Sequence, residues 1–281
     1  MALKTPVVDR IPTYPGRVKL TPVSGQTNVY DLVRADQPVE EGTPLNKLLF
    51  DQKAYALTED VVVYVSPTGN DMTGDGTSAK PYATIQAAVD SLPKVLDGHM
   101  ATISIAAGTY PGRVVMSGFQ GGIVELGVAG RTVTVNGVQI SCCAVVRINV
   151  SITRSDSYVG TLLIVRNGSH AQIGSAITIN GANAGISGVT VESGSTLIAI
   201  PDATSALKTT INNCVYNAIY ATGGSRVSMV DLAGSGNGVG IRSDGGSVVS
   251  YSTRALTATT ANITTNGGRI YTGAQTSIPN Y

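Results

Sequence analysis

Short runs in which apolar and small polar residues alternate fill the C-terminal part of the chain. The runs 225–230 (SRVSMV) and 247–251 (SVVSY) show this alternation, which is typical of half-buried β-strands. Glycine and Asn or Asp residues separate the runs and supply the positive-φ conformations that sharp turns require. The pattern therefore predicts many short strands joined by tight corners, with too few residues between the corners for helices.

One pattern in this region recurs at a fixed spacing. An apolar residue, a polar corner and two glycines occur at 219–225, 241–247 and 263–269, so the two steps between the three copies are equal. Weaker copies lie upstream at 163–169 and 189–195, and the steps there are longer and unequal. A recurring unit of this size indicates one structural motif stacked on copies of itself, with corner loops of varying length.

We therefore predict an all-β fold, a parallel β-helix or solenoid, over residues 101–281. At about 22 residues per turn it would have about eight turns, and with strands ~4.8 Å apart it would be ~40 Å long. The alternative is an antiparallel sandwich or barrel, which the Asn-Gly hairpin signals at 136–137, 167–168 and 180–181 would suit. Such a fold has no need to repeat Gly-Gly-Ser at a regular step, so we favour the solenoid.

Composition narrows the classes of partner. The net charge is +1 and only 13% of residues are charged, so there is no electrostatic case for nucleic acid or an anionic membrane. No apolar run is long enough to span a membrane, and the N-terminus lacks the apolar region of a signal peptide. The absence of Trp and the two Phe predict an aliphatic core. The low charge predicts a surface of Ser, Thr, Asn and Gly, or one that is covered in an oligomer.

The chain has three cysteines, Cys142, Cys143 and Cys214. The neighbours Cys142 and Cys143 would point to opposite faces of a strand, which suits neither a shared metal nor a disulfide framework. We interpret all three as buried free thiols that pack as small apolar groups. No cofactor or metal is predicted.

Residues 1–60 form a predicted N-terminal segment whose amino-acid composition differs from that of the rest of the chain. They hold six of the 12 prolines but three of the 33 glycines. Strand-like runs occur at 17–20 and 29–33, and a helix is predicted from Pro44 to Leu57 with Thr43 as its N-cap. The segment is too short and too rich in proline to bury a large core alone, so we expect it to need a partner.

Residues 61–100 are predicted to connect this segment to the solenoid through a strand (61–65), a turn-rich loop and a helix (84–92) that Pro93 ends. Four apolar residues of the helix have i, i+3, i+4, i+7 spacing and should face the core: Ile85, Ala88, Val89 and Leu92. The open end of a solenoid exposes unpaired strand edges and apolar interior. We therefore expect the helix to cap that end.

Two stretches of this connection carry a family resemblance. Residues 64–71 (YVSPTGND) and 76–88 (GTSAKPYATIQAA) resemble the opening segment of pectate-lyase-like right-handed β-helices, which is common in phage tailspikes and in secreted polysaccharide-active proteins. Residues 103–110 (ISIAAGTY) resemble the first turn that usually follows it. The resemblance covers about fifty residues and implies a right-handed parallel β-helix.

The N-terminal segment carries a second resemblance. Residues 34–38 (RADQP) and 41–46 (EGTPLN) resemble the N-terminal region of tail-fibre and baseplate-associated proteins of phages that infect Gram-positive bacteria. This implies a virion protein, made in the bacterial cytoplasm, whose residues 1–60 dock on other tail or baseplate proteins while the C-terminal part faces the host. The candidate attachment residues are Arg34, Asp36, Pro38, Gly42, Pro44, Leu45 and Asn46.

Acidic residues offer little for catalysis. Cleavage of a glycosidic bond needs a pair of carboxylates, yet no two acids in residues 101–281 are closer than ten residues in sequence. Stacking would bring Glu192 and Asp244 to one corner and leave Asp231 on a different face. No catalytic residue is assigned. The six acids are Glu125, Asp156, Glu192, Asp202, Asp231 and Asp244.

The histidines, the aspartates of the loop at 66–77 and the basic residues each allow a structural and a functional interpretation. His99 and His170 are expected to be exposed turn residues, the alternative being a metal pair or a catalytic base. Asp71 and Asp75 are expected to cap their loop rather than bind calcium. Residues 101–281 hold ten basic residues against six acidic ones, which indicates either scattered solubilising charges or a basic ladder for anionic cell-wall polymer.

These observations predict a structural or receptor-facing protein of a phage tail or tail-like particle. A homotrimer is expected from the low charge, the proline-rich segment that needs partners and the fibre-like shape. Several copies would also convert weak contacts with host cell-surface polysaccharide into avidity. The alternatives are a polysaccharide depolymerase, lyase or hydrolase, on the same fold and a purely architectural virion protein.

Overall fold

The computed structural model describes residues 11–12, 18–25, 30–34, 38–40, 56–155, 160–199 and 208–272. By compactness the chain divides into two units, residues 1–54 and 55–281.

The described part of the first unit forms two small antiparallel sheets. Strand β1 (Ile11–Pro12) pairs with β4 (Pro38–Glu40), and β2 (Val18–Pro22) pairs with β3 (Tyr30–Arg34). The strand-like runs at 17–20 and 29–33 correspond to β2 and β3. Of the candidate attachment residues, Arg34 ends β3 and Pro38 begins β4; the others, Asp36, Gly42, Pro44, Leu45 and Asn46, lie outside the described residues.

The second unit begins before the predicted boundary at residue 61. Ala56 forms a parallel bridge with Val95, and the Leu57 N–H donates to the Val95 carbonyl at 3.0 Å. The Asp60 carboxylate accepts from the Met100 N–H at 2.9 Å. The end of the helix predicted from Pro44 to Leu57 is therefore wrong, because its last two residues pair with Val95 through a β-bridge and a backbone hydrogen bond. The rest of that predicted helix lies outside the described residues.

One helix and seventeen strands make up the described part of the second unit. The helix α1 is Ile85–Ser91. The strands are β5 (Val61–Val65), β6 (Met100–Ile105), β7 (Gly108–Ser117), β8 (Ile123–Leu126), β9 (Val133–Ser141), β10 (Val145–Ile148), β11 (Ser151–Thr153), β12 (Leu163–Arg166), β13 (His170–Ile173), β14 (Ile177–Ala184), β15 (Val189–Val191), β16 (Thr196–Ala199), β17 (Lys208–Cys214), β18 (Asn217–Ala221), β19 (Arg226–Ser243), β20 (Val248–Thr264) and β21 (Arg269–Thr272).

These strands form a β-solenoid with three stacks, and every pairing within it is parallel. Stack A runs through β5, β6, β8, β10, β13, β16, the start of β19, the start of β20 and β21. Stack B runs through the starts of β7 and β9, then β11, β14, β17 and the middles of β19 and β20. Stack C runs through the ends of β7 and β9, then β12, β15, β18 and the ends of β19 and β20. The antiparallel sandwich is thereby excluded.

The solenoid has about seven turns, one fewer than predicted. The prediction assumed a constant step, whereas paired residues show longer turns in the middle of the coil. The steps from Val146 to Ala171 and from Leu197 to Val227 both exceed the step from Val227 to Val249. Because longer corner loops contain more residues per turn, the same number of residues forms fewer turns. At ~4.8 Å per rung the stack is about 34 Å long.

The core is a set of aliphatic columns inside the coil, as the composition predicted. Inward residues of neighbouring turns lie directly above one another because the strands are parallel and in register. Each buried Val, Leu or Ile contributes about 1.5–3 kcal/mol relative to its exposed state. One column in stack A is Ala101, Val124, Val146, Ala171, Leu197, Val227 and Val249, all with no exposed surface.

The last turn departs from the regular step of the Gly-Gly corners. Ile241 pairs with Asn262, so Ile263 lies beside Arg242 rather than beside Ile241. The cause is a register shift between Gly234 and Asn237, where the last turn has one residue fewer at its corner. A one-residue slip exchanges the two faces of a strand. Ile263 consequently occupies an outward position, which corrects the alignment of the third repeat.

Helix α1 lies where the sequence predicted a helix. Thr84 is its N-cap, with the Thr84 hydroxyl accepting from the Ala87 N–H at 3.2 Å. The four apolar residues proposed for the cap are all buried: Ile85, Ala88, Val89 and Leu92. The helix packs on β5, β6 and β7, the first strands of the solenoid.

A glutamine of α1 also pairs with an open strand edge. Strand β7 has β9 as its one strand partner among the described residues, so its other edge faces the helix. There the Gln86 Oε1 accepts from the Val115 N–H at 2.8 Å, and the Gln86 Nε2 donates to the Val115 carbonyl at 3.2 Å. Asp90 holds the same amide at 2.8 Å. The amide thus takes the place of a neighbouring strand at this rung.

We expect Gln86→Leu to lower the free energy of unfolding by about 1 kcal/mol, because both hydrogen bonds to Val115 are lost. It should also increase association of the folded protein, since an unpaired edge templates further pairing. Urea unfolding and light scattering measure the two effects. Gln139→Leu is the matched control, because Gln139 lies directly across from Val115 on the outer surface. Equal changes in both variants would contradict the edge-pairing role of Gln86.

Candidate functional site

A column of buried serines follows the corner between stacks C and A. The backbone N–H of each residue donates to the hydroxyl of the serine one turn further on. Cys143 donates to Ser169 at 3.1 Å, Ser169 to Ser195 at 3.2 Å, Ser195 to Ser225 at 3.2 Å and Ser225 to Ser247 at 2.9 Å. The four serines are at most 1% exposed. This serine ladder satisfies amides that no strand pairing reaches, and its role is structural.

The residues before each serine explain the recurring glycines. Asn167 and Gly168 have φ of 57° and 70°, and Gly245 and Gly246 have φ of 58° and 76°. Two consecutive left-handed residues reverse the chain sharply, which glycine and asparagine tolerate best. The Gly-Gly-Ser pattern is therefore a corner that ends in a ladder serine.

The carboxylates are distributed as the sequence predicted. Glu192 and Asp244 occupy equivalent corner positions, since each follows a strand of stack C, with Thr222 on the rung between them. Two rungs separate their backbones by about 9.6 Å. Asp231 lies on stack B, opposite Lys208. Asp156 and Asp202 lie outside the described residues.

Asp244 is engaged by its own neighbours. Its Oδ1 accepts from the Asn266 Nδ2 at 2.8 Å, and its Oδ2 lies 3.9 Å from Arg242 Nη2. The hydrogen bond from Asn266 is the main reason that the pKa of Asp244 lies below its ordinary value. The guanidinium of Arg242 lies over the Tyr220 ring at 5.1 Å. This corner thus holds a carboxylate with a lowered pKa and partners of its own, rather than a proton donor poised for acid catalysis.

Asp71 and Asp75 cap the loop before α1, as expected. Asp71 accepts from the N–H groups of Ala83 and Thr84 at 2.7 and 2.9 Å, and from the Thr84 hydroxyl at 2.7 Å. Asp75 accepts from the N–H and the hydroxyl of Thr77 at 3.0 and 2.7 Å. Among the described residues, no three His, Cys, Asp or Glu side chains cluster as metal ligands would.

These contacts set the pH response of the loop. Burial alone would raise the pKa of Asp71, but the hydrogen bonds from Thr84 and Ala83 outweigh it and hold the pKa below its ordinary value. A lowered carboxyl pKa adds stability above the unfolded value of about 3.9, and this stability is lost as the pH falls through the folded value.

We expect Asp71→Ala to cost about 1 kcal/mol at pH 7, and the difference from the unmodified protein to shrink as the pH falls below about 4. Urea unfolding at a series of pH values measures this. The exposed Glu59, changed to Ala, is the control. A difference that stays constant as the pH falls to about 1 would show that Asp71 acts through its shape and not through its charge.

Histidines and cysteines differ in part from expectation. His170 begins β13 and is half-buried rather than exposed in a turn, and burial lowers the pKa of its ring. His99 Nδ1 lies 3.4 Å from an oxygen of Asp60.

Cys143 and Cys214 are buried, and burial raises the pKa of Cys214 to about 12. Cys142 is exposed, contrary to the prediction, because it lies at a corner with φ of 55° and not on a strand.

The basic residues do not form a continuous ladder on stack A. Arg226 and Arg269 share a column, but Val248 lies between them. Arg147 belongs to a different column, next to Glu125 and Gln172. A long stripe of positive charge is therefore absent from the described part of this stack.

A cleft on the outer surface of stack A brings three polar side chains together. Glu125, Arg147 and Gln172 occupy the same position on β8, β10 and β13, three successive rungs. The cleft has a volume of about 320 Å³, at the lower end of the range for small-molecule sites. Its remaining lining residues are Ala129, Asn149, Ile173 and Gly174.

Asn149 forms the floor of this cleft and holds Glu125. The Asn149 Nδ2 donates to Glu125 Oε1 at 3.0 Å and to the Gly127 carbonyl at 3.2 Å, and Thr102 donates to Glu125 Oε2 at 3.4 Å. The nearest approach of Arg147 to Glu125 is 3.8 Å, a loose ion pair. Glu125 is thus fixed by amide and hydroxyl donors, while the guanidinium of Arg147 makes no hydrogen bond with any residue that the structure describes.

Two acceptors in the cleft are not saturated. Asn149 is 5% exposed, and its Oδ1 has no hydrogen-bond partner within the described part of the chain. Gln172 Nε2 lies 3.3 Å from His170 Nε2. Burial lowers the pKa of the half-buried His170 ring, which favours a neutral ring whose Nε2 accepts from the amide, and Gln172 keeps its oxygen for a further donor. This site was not predicted from the sequence, although Glu125, Arg147 and Gln172 follow one another at steps of about one turn.

Comparison with family profiles, curated proteins and solved structures gave no match to this chain. No helix in the described ranges is long and apolar enough to cross a membrane.

Proposed function

We propose that this protein is a host-facing structural component of a phage tail or tail-like particle that mediates attachment to the cell surface. The observation that carries the proposal is the way the solenoid begins. Residues 64–71 and 76–88, which resemble the opening segment of tailspike β-helices, form the end of β5, a loop capped by Asp71, and α1 on the first turn. This position at the start of the solenoid supports the proposal.

The regularity of the coil supports a shaft-like role. The serine ladder and the aliphatic columns repeat the same contacts in successive turns, so each turn is held by its neighbours. A stack of about seven turns offers a long, rigid outer surface, and its accessible side chains are mostly small and polar. Such a surface suits repeated weak contacts with a host surface polymer, which several copies would strengthen through avidity.

Immunogold electron microscopy tests the proposal. Antibodies raised against the full chain should label the tails of particles from the phage or bacterium that encodes it. Pre-absorption of the antibodies with the purified protein is the control. Labelling of cells but of no particle would overturn the proposal.

The expected homotrimer is tested separately, because it bears on avidity. Light scattering of the full chain in solution should give three times the chain mass of 28.8 kDa. A monomeric mass would remove the trimer from the proposal and require virion partners to supply the multiple copies.

A further inference from the structure

We propose that the cleft formed by Glu125, Arg147, Asn149 and Gln172 binds one neutral sugar unit through adjacent hydroxyl groups. This inference rests on the proposed attachment function and assigns a place and a ligand chemistry to it.

The first step is the charge of the cleft. Glu125 and Arg147 contribute one negative and one positive charge, and the other lining residues are neutral. Glu125 already accepts from Asn149 and Thr102, whereas the guanidinium of Arg147 keeps its donors available. The carboxylate would repel an anion, and the guanidinium would repel a cation. A neutral ligand avoids both repulsions.

The second step is the pattern of donors and acceptors. The guanidinium donates, Asn149 Oδ1 lacks a donor within the described part of the chain, and Gln172 Oε1 is available as a second acceptor. A hydroxyl group donates and accepts at the same time. The oxygens of two neighbouring hydroxyls can therefore accept from the Arg147 guanidinium. Their hydrogens can be donated to the amide oxygens of Asn149 and Gln172. An unpaired buried amide oxygen destabilises the folded protein, and a ligand that pairs with it removes this cost.

The third step is access to Asn149. A Cβ at Gly174 would lie 2.7 Å from Asn149 Oδ1 and 2.7 Å from Cγ and Cδ of Arg147, so Gly174 leaves open a space that the oxygen and the Arg147 stem both border. Because no hydrogen bond holds the guanidinium, a rotation of this side chain opens the oxygen to a ligand hydroxyl. The glycine keeps the space in which this rotation occurs.

Saturation-transfer NMR on the full chain tests the inference. The probes are glucose, galactose, mannose, rhamnose and N-acetylglucosamine, with glycerol phosphate and choline as charged comparators. We expect saturation transfer to at least one neutral sugar and none to the charged probes. Transfer to a charged probe alone, or to no probe, would overturn the inference.

Variants locate the binding. Gly174→Ala and Gln172→Leu should each weaken sugar binding at least tenfold, the effect of losing about 1.4 kcal/mol. Gly112→Ala, which meets no heavy atom within 4 Å, and Ser228→Ala, on the outer surface of stack A, should leave binding unchanged. Gln172→Leu keeps the test decisive if Gly174→Ala fails to fold. Undiminished sugar binding in a folded Gln172→Leu protein would exclude this cleft.

Adsorption to host cells separates the two proposals. If the protein labels tails and adsorbs to cells but no sugar binds, the attachment function stands and the cleft inference fails. If a sugar binds in the cleft but the protein labels no particle, the attachment function fails and the sugar site stands. Competition by the free sugar against purified cell-wall glycan then shows whether the ligand is a unit of that glycan or a free monosaccharide.

Discussion

Replacement of Gly234 by alanine should destabilise the protein by about 3 kcal/mol or more, the sum of a strained backbone and an overpacked contact. Gly234 has φ of 139°, which L side chains rarely adopt, and a Cβ there would overlap the carbonyl oxygen of Ile211 on the preceding turn. The residue lies at the register shift between β19 and β20. The strain therefore falls on the contact between two turns, and not on an isolated loop.

Urea unfolding followed by circular dichroism measures the effect, and Gly112→Ala is the matched control. Gly112 lies in β7 of the first turn, its φ is not positive, and nothing lies within 4 Å of the added Cβ. We expect the control to remain within about 0.5 kcal/mol of the unmodified protein. Equal midpoints for the two variants would mean that Gly234 does not make the close approach to Ile211.

The fold could be predicted because each turn of the solenoid requires similar residues at its corner, so the sequence repeats with the period of one turn. Each corner needs residues with positive φ, and the same corner recurs in successive turns, so the pairs Gly223-Gly224, Gly245-Gly246 and Asn266-Gly267 mark equivalent points. The number of turns and the last register could not be predicted in the same way. The one-residue slip after Gly234 leaves the Gly-Gly spacing intact while it moves Ile263 to the outer surface.

The cleft escaped prediction for a different reason. The step from Glu125 to Arg147 is shorter than the step from Arg147 to Gln172, and the approach of the three side chains depends on which residues face each other across such unequal turns. Once the register is known, alignment of outward positions brings them together. The role of Gln86 was hidden likewise, because the amide pairs with an edge that exists only where the coil begins.

The second large effect is expected for the serine ladder. Ser225 accepts from the Ser195 N–H at 3.2 Å and donates its own N–H to Ser247 at 2.9 Å, and it is 1% exposed. Ser225→Ala keeps the size of the side chain nearly unchanged but leaves the amide of Ser195 without an acceptor inside the coil. An unpaired buried donor costs about 1–3 kcal/mol, and we expect a loss of stability in that range.

Hydrogen exchange distinguishes this cause from a general loosening of the coil. In Ser225→Ala the amide of Ser195 should exchange faster, while the amide of Ser225, whose acceptor Ser247 is intact, should keep most of its protection. Ser228→Ala, on the outer surface of the same turn, should change neither amide and should unfold within about 0.5 kcal/mol of the unmodified protein. If both variants lose the same stability, or if Ser195 exchanges no faster, the ladder does not hold the turns together. The recurring serine would then be explained by the corner conformation alone.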